Sequence, residues 1–253
     1  MAPEQSLHSL GERVFGPELM QRQAPEEAGR PEIDRIILGR FACREFSEKP
    51  VMRHTIREIL AVARFAPSGA NIQPWNVYAL SGAPQKRLSS ALLEAHRNAR
   101  TEHVSEYKYY ADVLPSPYRQ RRQEFGQIFY GSLGIAQTDV EARADQTAKN
   151  YTFFGAPVGL IVTIDRRLEA GSWLDLGMFL QNVLLAAAGR GLDSCPQETF
   201  AKYHKILREQ LPIPEEQMVV CGISVGYAKV EPGLKSMPRA DLDDFADFTG
   251  FES

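Results

Sequence analysis

The chain has 253 residues, of which 43% are hydrophobic and 24% are charged, and its formal net charge at pH 7 is -3. This balance is typical of a globular protein with a sizeable core, and it excludes binding of nucleic acid through overall positive charge. No apolar run approaches the roughly 20 residues of a membrane-spanning helix, so we expect no membrane contact.

The cysteines and histidines argue against a disulfide framework and against a metal site. Cys43, Cys195 and Cys221 are widely spaced and odd in number, and the histidines show no ligand spacing. The first residues carry charge and lack the apolar segment of a signal peptide. We therefore expect reduced thiols, no metal and a cytoplasmic protein.

The chain begins with a polar stretch, residues 1–30, that is interrupted by proline and glycine. This composition predicts an N-terminal arm ahead of a single domain over residues 31–253. Three isoleucines at helical spacing then predict a helix over about 32–40.

A second helix is predicted from Thr55, with Glu58 three positions later as the partner in a capping box. It ends before the loop signal that starts at Pro67. A strand over 76–81 and an amphipathic helix over 84–100 follow.

The second half of the chain opens with an excursion over about 103–131 that is rich in tyrosine, arginine and proline. The apolar pattern then predicts helices and doubly buried strands in alternation. The helices cover 132–149, 173–190 and 198–211, and the strands cover 158–164 and 218–225. Interleaved strands and helices place the fold in the α/β or α+β class. The helix over 173–190 is apolar nearly all round, so it lies in a core or at a subunit interface.

Three motifs carry chemistry. Arg40 and Arg44 place two guanidiniums at a helix end, where they could hold a phosphate or a ring system, or form a plain surface pair. The loop over 66–75 combines small residues with amide and hydroxyl groups that a flat ligand could approach. The segment over 191–198 carries backbone amides that could bond a ligand acceptor. Taken singly, the first and third motifs are better explained as an ordinary surface pair and an ordinary turn, and the second could be any connection between a helix and a strand.

In this order the motifs resemble those of the FMN-dependent nitroreductase family. That family has an Arg-x-Ser-x-Arg/Lys element, a Pro-Ser-x-x-Asn-x-Gln-Pro-Trp loop and an arginine near the C-terminus. The second element is matched from Pro67 to Trp75, and the arginine is matched by Arg239. The resemblance covers about residues 33–251. It implies an α+β fold, a three-layer α-β-α sandwich with a mixed central sheet, in a domain-swapped homodimer.

The resemblance also implies a set of FMN-binding residues, with the loop at Pro67 serving the flavin of the other subunit and Arg239 neutralising the phosphate. The implied FMN contacts are Arg40, Phe41, Ala42, Arg44, Pro67, Ser68, Gly69, Asn71, Pro196, Gln197, Glu198, Lys235 and Arg239. A backbone amide near Glu198 is expected to approach flavin N5. We name no catalytic side chain, because the flavin carries the hydride.

The chain departs from the family pattern at two of these positions. Ala42 stands where the family has serine, which removes one hydrogen bond to the cofactor. Thr199 follows Glu198 where some members have glycine, which leaves the donor near N5 open.

The excursion over 103–131 is expected to cover the flavin as a lid, with a packed helical insert as the alternative. Aromatic side chains there could stack on an aromatic acceptor, and an arginine could pair with an anionic group. We single out Tyr118 and Arg122 as the substrate-contacting candidates.

The predicted function is an NADH- or NADPH-dependent reduction of nitroaromatic compounds by a ping-pong, two-electron mechanism. A flavin reductase of the same fold that acts on quinones, enones or other electrophiles is the first alternative. A non-catalytic flavin-binding protein is the second.

Overall fold

The computed structural model describes residues 31–229 and 237–251 of the chain. The chain divides into two units, Met1–Leu38 and Gly39–Ser253. Helix α1 spans Glu32–Gly39, as the isoleucine spacing predicted. The predicted arm over residues 1–30 lies outside the described residues.

Four strands form one sheet: β1 (Asn76–Ser81), β2 (Val158–Asp165), β3 (Asp193–Gln197) and β4 (Gln217–Gly226). Their order is β1-β2-β4-β3, and every neighbouring pair is antiparallel. The mixed sheet that we expected is therefore antiparallel among its described strands, with a parallel pairing only at the isolated bridge between Ala42 and Ser194. Strand β3 was not predicted, since we took its residues for a connection between helices.

The described part of the chain contains six further helices. They are α2 (Arg53–Ala63), α3 (Gly82–Asn98), α4 (Tyr118–Ser132), α5 (Val140–Ala148), α6 (Ala170–Ala188) and α7 (His204–Gln210). Short 3-10 segments cover Gly69–Asn71, Arg100–Glu102, Lys149–Gly155, Glu198–Tyr203 and Leu242–Asp244. None of the described helices is long and apolar enough to cross a bilayer.

Several predicted helix starts were wrong, including those of α3 and α6, which begin at Gly82 and Ala170 rather than at 84 and 173. Helix α2 begins at Arg53, two residues before Thr55, and its cap residue Met52 makes no side-chain hydrogen bond, so the capping box does not form. The helix predicted from 132 begins only at Val140, where the Asp139 side chain accepts a hydrogen bond from Ala142 N. The helix predicted from 198 starts as a 3-10 segment and becomes α-helical at His204.

The core lies on both faces of the sheet, because successive side chains of a strand point to opposite sides. On one face α2 and α6 pack over the even-numbered residues Val158 to Ile164 of β2. On the other face α3, α7 and the 3-10 segments pack over Ile161 and Val219. Helices on both faces give the three-layer α-β-α arrangement that the sequence predicted.

Two glycines of the sheet allow aromatic rings to lie directly on the strands. A β-carbon at Gly159 would overlap the ring of Phe153, and one at Gly222 would overlap the ring of Phe200. The two rings also touch each other, with centroids 4.7 Å apart. Phe153 and Phe200 belong to the 3-10 segments Lys149–Gly155 and Glu198–Tyr203, so both segments are held at a fixed distance from the sheet.

We expect Gly222→Ala to lower the free energy of unfolding by about 1–3 kcal/mol, because the added methyl group overpacks against the Phe200 ring. Urea unfolding followed by circular dichroism measures the change. The matched control is Gly171→Ala in the first turn of α6, where no atom lies within 4 Å of the added carbon. Equal effects of the two substitutions would contradict the close approach at Gly222.

Candidate functional site

The first and third sequence motifs lie side by side, although most of the chain separates them. The amide of Cys43 donates to the Ser194 carbonyl at 3.0 Å, next to the bridge between Ala42 and Ser194. Burial raises the pKa of Cys195 to about 11, while the charges of Arg44 and Arg40 oppose that rise. Both guanidiniums therefore lie near Cys195 of β3.

Arg40 is half-buried and carries an unsatisfied donor. Its Nε is shielded from solvent and has no hydrogen-bond partner among the described residues. A buried donor without a partner costs about 1–3 kcal/mol. An acceptor oxygen of a ligand beside β3 would remove that cost, so this position fits a phosphate or carbonyl group.

Arg44 joins this site to the excursion. Its guanidinium lies over the ring of Phe129, with 4.7 Å to the centroid, and near the ring of Phe125 at 5.9 Å. Both rings belong to α4, which has no buried residue. The helix is thus attached to the site by a cation–π contact.

The end of β3 offers its backbone to a ligand. The Gln197 side chain turns into the core, where Nε2 donates to the Asn150 carbonyl at 2.8 Å and Oε1 accepts from Ser224. Gln197 can therefore meet a ligand only through its main chain. Pro196 is exposed, and Glu198 is half-buried beyond it.

Tyr107 and Trp173 form an aromatic wall, of which Tyr107 lies near Glu198. Burial raises the pKa of the Glu198 carboxyl, and burial followed by the charge of Glu198 raises the pKa of Tyr107. The Tyr107 hydroxyl donates to the Val220 carbonyl at 2.7 Å, and its ring lies 4.9 Å from that of Trp173. Sequence reasoning missed Trp173 as a wall residue, because it lies in a helix taken for core or interface.

The two substrate candidates lie on α4. Tyr118 is largely exposed, and Arg122 lies over the ring of Tyr110 at 4.4 Å. Their role in binding a substrate stays a prediction.

The loop that follows α2 is strained and exposed. Ala70, Asn71 and Gln73 have positive φ angles of 48°, 59° and 51°. Non-glycine residues in this region are uncommon and cost energy, and such strain is concentrated at functional sites. The loop is closed by hydrogen bonds from Gln73 N to Ser68 Oγ at 3.0 Å and from Asn71 N to the Ser68 carbonyl at 2.9 Å.

This loop is fixed to α6 and not to the site at β3. Gly69 N donates to Asp175 Oδ2 at 3.1 Å, and Trp75 stacks on Phe179 with centroids 4.7 Å apart. Among the described residues no hydrogen bond joins the loop to Arg40, Arg44 or Glu198. Within one chain, hydrogen bonding brings together the first and third motifs and leaves the second apart.

Of the two C-terminal candidates for binding the FMN phosphate, the structure describes Arg239. Lys235 lies outside the described residues. Arg239 is exposed, and its Nη1 donates to the carbonyls of Met237 and Pro238 at 2.7 and 3.2 Å. The other donors of its guanidinium make no hydrogen bond within the described residues.

The thiols lie in the core. Cys43, Cys195 and Cys221 are free and buried, as the sequence predicted for reduced thiols. Burial raises the pKa of Cys43 and of Cys221 to about 12. Such thiols are protonated at neutral pH and do not act as nucleophiles.

Known proteins resemble this chain over most of its length. A model of the nitroreductase family matches residues 37–227. The 4-nitrobenzoate reductase of Pseudomonas putida is 40% identical over 223 residues, which cover 87% of this chain and 97% of that protein. The nitrobenzene nitroreductase of Ectopseudomonas oleovorans is 40% identical over 220 residues, which cover 86% and 97%.

Solved structures of nitroreductases are similar to this chain in fold. An FMN and NADPH-dependent nitroreductase from Sphigopyxis sp. strain HMH superposes with a TM-score of 0.83 at 34% identity, covering 87% of this chain and all of that one. An FMN-dependent nitroreductase from Mycobacterium smegmatis, solved in complex with NADPH, has a TM-score of 0.79 at 32% identity and covers 85% and 97%.

We expect Asp175→Ala to release the loop at Gly69. A hydrogen bond to a charged group contributes about 1.5–3 kcal/mol, so the Gly69 amide should exchange with solvent about ten times faster or more. Hydrogen exchange followed by mass spectrometry measures it. The control is Gln181→Ala, on the exposed side of the same helix. Unchanged exchange at Gly69 would show that Asp175 does not hold the loop.

Proposed function

The chain belongs to the nitroreductase family, and from this premise we propose that it is an FMN-dependent NAD(P)H oxidoreductase that reduces nitroaromatic compounds. Nitro groups would pass through nitroso to hydroxylamine in a ping-pong mechanism. The observation that carries the proposal is the buried Nε of Arg40 near Cys195 of β3, which has no hydrogen-bond partner among the described residues. The names of the relatives, which include reductases of 4-nitrobenzoate and of nitrobenzene, support the acceptor class.

The residues at β3 and in the C-terminal segment fit FMN. Arg40 would donate to an acceptor oxygen of the cofactor, and Arg239 and Lys235 would neutralise its phosphate. Phe41, Ala42, Arg44 and the main chain from Pro196 to Glu198 would complete the site. When bound, FMN supplies hydride chemistry, and the protein binds, orients and shields it.

The acceptor would bind against the aromatic wall of Tyr107 and Trp173. A planar ring gains about 0.5–1.5 kcal/mol from each aromatic contact beyond its buried area. The excursion over 103–131 would cover it as a lid, with Tyr118 for stacking and Arg122 for an anionic group such as a carboxylate.

The active form is proposed to be a homodimer. Helix α6 buries one face in the core but exposes Leu174 to 73%, and Phe65 at the end of α2 is exposed to 78%. Val62, Ile72 and Met178 extend this apolar surface around the strained loop. Exposed apolar patches mark interaction sites. A second copy on this surface would cover it and place the loop from Pro67 to Asn71 near the partner's cofactor.

We also propose a cytoplasmic location, since the three cysteines are free thiols, as expected in a reducing compartment. The assignment of residues 1–30 as an arm and of residues 31–253 as one domain is part of the same proposal.

The proposed function is tested on the purified full chain. Its visible spectrum should show flavin bands, and denaturation should release free FMN. NADPH or NADH should then drive the reduction of 4-nitrobenzoate faster than that of a quinone or an enone. Preference for the quinone or the enone would favour the flavin reductase of other electrophiles. Bound FMN without turnover would favour the flavin-binding protein, and a colourless chain that also fails to bind added FMN would refute all three.

Arg239→Ala should weaken FMN binding by about one to two decades, because a charge-assisted contact to phosphate contributes about 1.5–3 kcal/mol. Titration of the apoprotein with FMN, followed by fluorescence quenching, gives the dissociation constant. Arg167→Ala is the control, since the exposed Arg167 forms an ion pair with Asp165 at the end of β2, and this is its one salt bridge among the described residues. An unchanged dissociation constant in the Arg239 variant would show that another residue binds the phosphate.

Leu174→Arg should convert the dimer into monomers that hold less FMN, because the charge would be buried at the interface without a partner. Sedimentation velocity at low micromolar concentration measures the association state. Val140→Arg on α5 is the control, since Val140 is as exposed as Leu174 but lies outside the apolar surface. A wild-type monomer with full FMN content would contradict the dimer.

A further inference from the structure

A carboxylate held by two arginines fixes the chain near the start of the excursion. Glu106 Oε1 accepts a hydrogen bond from Arg166 Nη2 at 2.9 Å, and Glu106 Oε2 accepts one from Arg208 Nη2 at 3.2 Å. The Glu106 side chain is 13% exposed. Burial opposes its ionisation, but the hydrogen bond from Arg166 and the charges around it lower the pKa of the carboxyl overall. Glu106 is therefore ionised at neutral pH and paired with both arginines.

The two arginines are themselves tied to the turn that precedes β4. Arg208, on α7, donates from Nη1 to the Pro214 carbonyl at 2.7 Å and from Nη2 to the Gln217 carbonyl. Arg166, directly after β2, donates from Nε to the Glu215 carbonyl. The groups that hold the Glu106 carboxylate are thus fixed by the sheet and by a helix.

The next residue, Tyr107, carries this attachment to the aromatic wall. Its hydroxyl donates to the Val220 carbonyl on β4 at 2.7 Å, and its ring lies 4.9 Å from the ring of Trp173. The backbone of Tyr107 is held from one side by Glu106, and its side chain is held at the far end by β4. Two attachments on adjacent residues therefore set both the position and the orientation of the ring.

Beyond Tyr107 the excursion lacks such attachments. In the described part of the chain, no hydrogen bond or salt bridge joins residues 108–129 to the sheet or to a helix other than α4. The salt bridge between Lys108 and Asp112 is exposed and stays within this segment. The contact with Arg44 is of the cation–π kind. The polar attachment of the excursion to the sheet thus ends at Tyr107.

We propose that Glu106 is a positioning residue for the acceptor: it fixes Tyr107 against Trp173, so the aromatic wall stays in place while the segment beyond it is free to move. The link to the acceptor rests on the proposed function. Removal of the Glu106 charge would leave Arg166 and Arg208 side by side without a counter-charge. Their repulsion would open the attachment and release the chain at Tyr107.

The first test does not depend on activity and uses the purified full chain labelled with 5-fluorotryptophan. The chain has two tryptophans, so Trp173 reports on the wall, and Trp75, which stacks on Phe179, is an internal reference. The difference in fluorine NMR shift between H2O and D2O measures the exposure of each ring. Glu106→Gln should increase this difference for Trp173 towards its value in Tyr107→Ala, in which the neighbouring ring is absent. The Trp75 resonance should not change.

Asp112→Asn is the matched control, because it removes a carboxylate of the same excursion whose ion pair is exposed. Both resonances should keep their wild-type positions in it. A Trp173 resonance that ignores Glu106→Gln would overturn the proposal. Equal changes at Trp75 and Trp173 would also overturn it, because they indicate a general loss of packing. Arg166→Met, which removes a 41% exposed arginine, is a second variant should Glu106→Gln fail to fold, and it should shift the Trp173 resonance in the same direction by less.

The second test measures the acceptor. Glu106→Gln should raise KM for 4-nitrobenzoate about 2- to 12-fold, as expected for the loss of one aromatic contact, with little change in kcat or FMN content. Asp112→Asn should leave KM unchanged. Greater exposure of Trp173 with an unaltered KM would overturn the role of Glu106 in acceptor binding. Failure of the proposed function appears differently, as a wild-type protein without FMN or without turnover.

Discussion

The contact of two phenylalanine rings with two glycines of the sheet is the constraint on which the site depends. Phe153 and Phe200 come from segments far apart in the chain, and each lies where a side chain on β2 or β4 would exclude it. Phe153 and Phe154 accept positive φ angles of 52° and 53° to reach this position. Burial of the two rings offsets the cost of that backbone strain. The 3-10 segments that carry Phe153 and Phe200 therefore have little conformational freedom.

The chemistry of the site follows from those fixed turns. Phe200 holds the segment that starts at Glu198, so the main chain after β3 has one position relative to the sheet. The pairing of Cys43 with Ser194 then brings Arg40 to the same edge. Both contacts join residues that are distant in sequence. Phe200 depends on Gly222 of β4, and Cys43 depends on Ser194 of β3.

The fold could be predicted from the sequence where burial is regular. Strands β1, β2 and β4 were found within one or two residues. For β2 and β4 the signal was a long apolar run, which indicates burial on both faces. Strand β3 was missed because Asp193, Ser194 and Pro196 all disfavour strands. It forms at the edge of the sheet, where proline is tolerated and where β4 is the only strand that pairs with it among the described residues.

The residues of the candidate site could be predicted from the sequence, but their positions relative to one another could be predicted only in part. A family resemblance selected Arg40, Arg44 and the loop at Pro67, and no local pattern shows which of them meet. The wall of Tyr107 and Trp173 depends on a contact across the chain that spacing does not encode. Its only signal in the sequence is the abundance of tyrosine.

Helix α4 contacts Arg44 through Phe125 and Phe129, yet it buries none of its residues within the chain. Substitutions on such a helix remove little packing, and surface changes usually alter stability by less than about 0.5 kcal/mol. Its side chains can therefore diverge between species without loss of the fold. Substitutions from natural variation, or from laboratory evolution towards new acceptors, should therefore accumulate on α4 before they accumulate in the sheet.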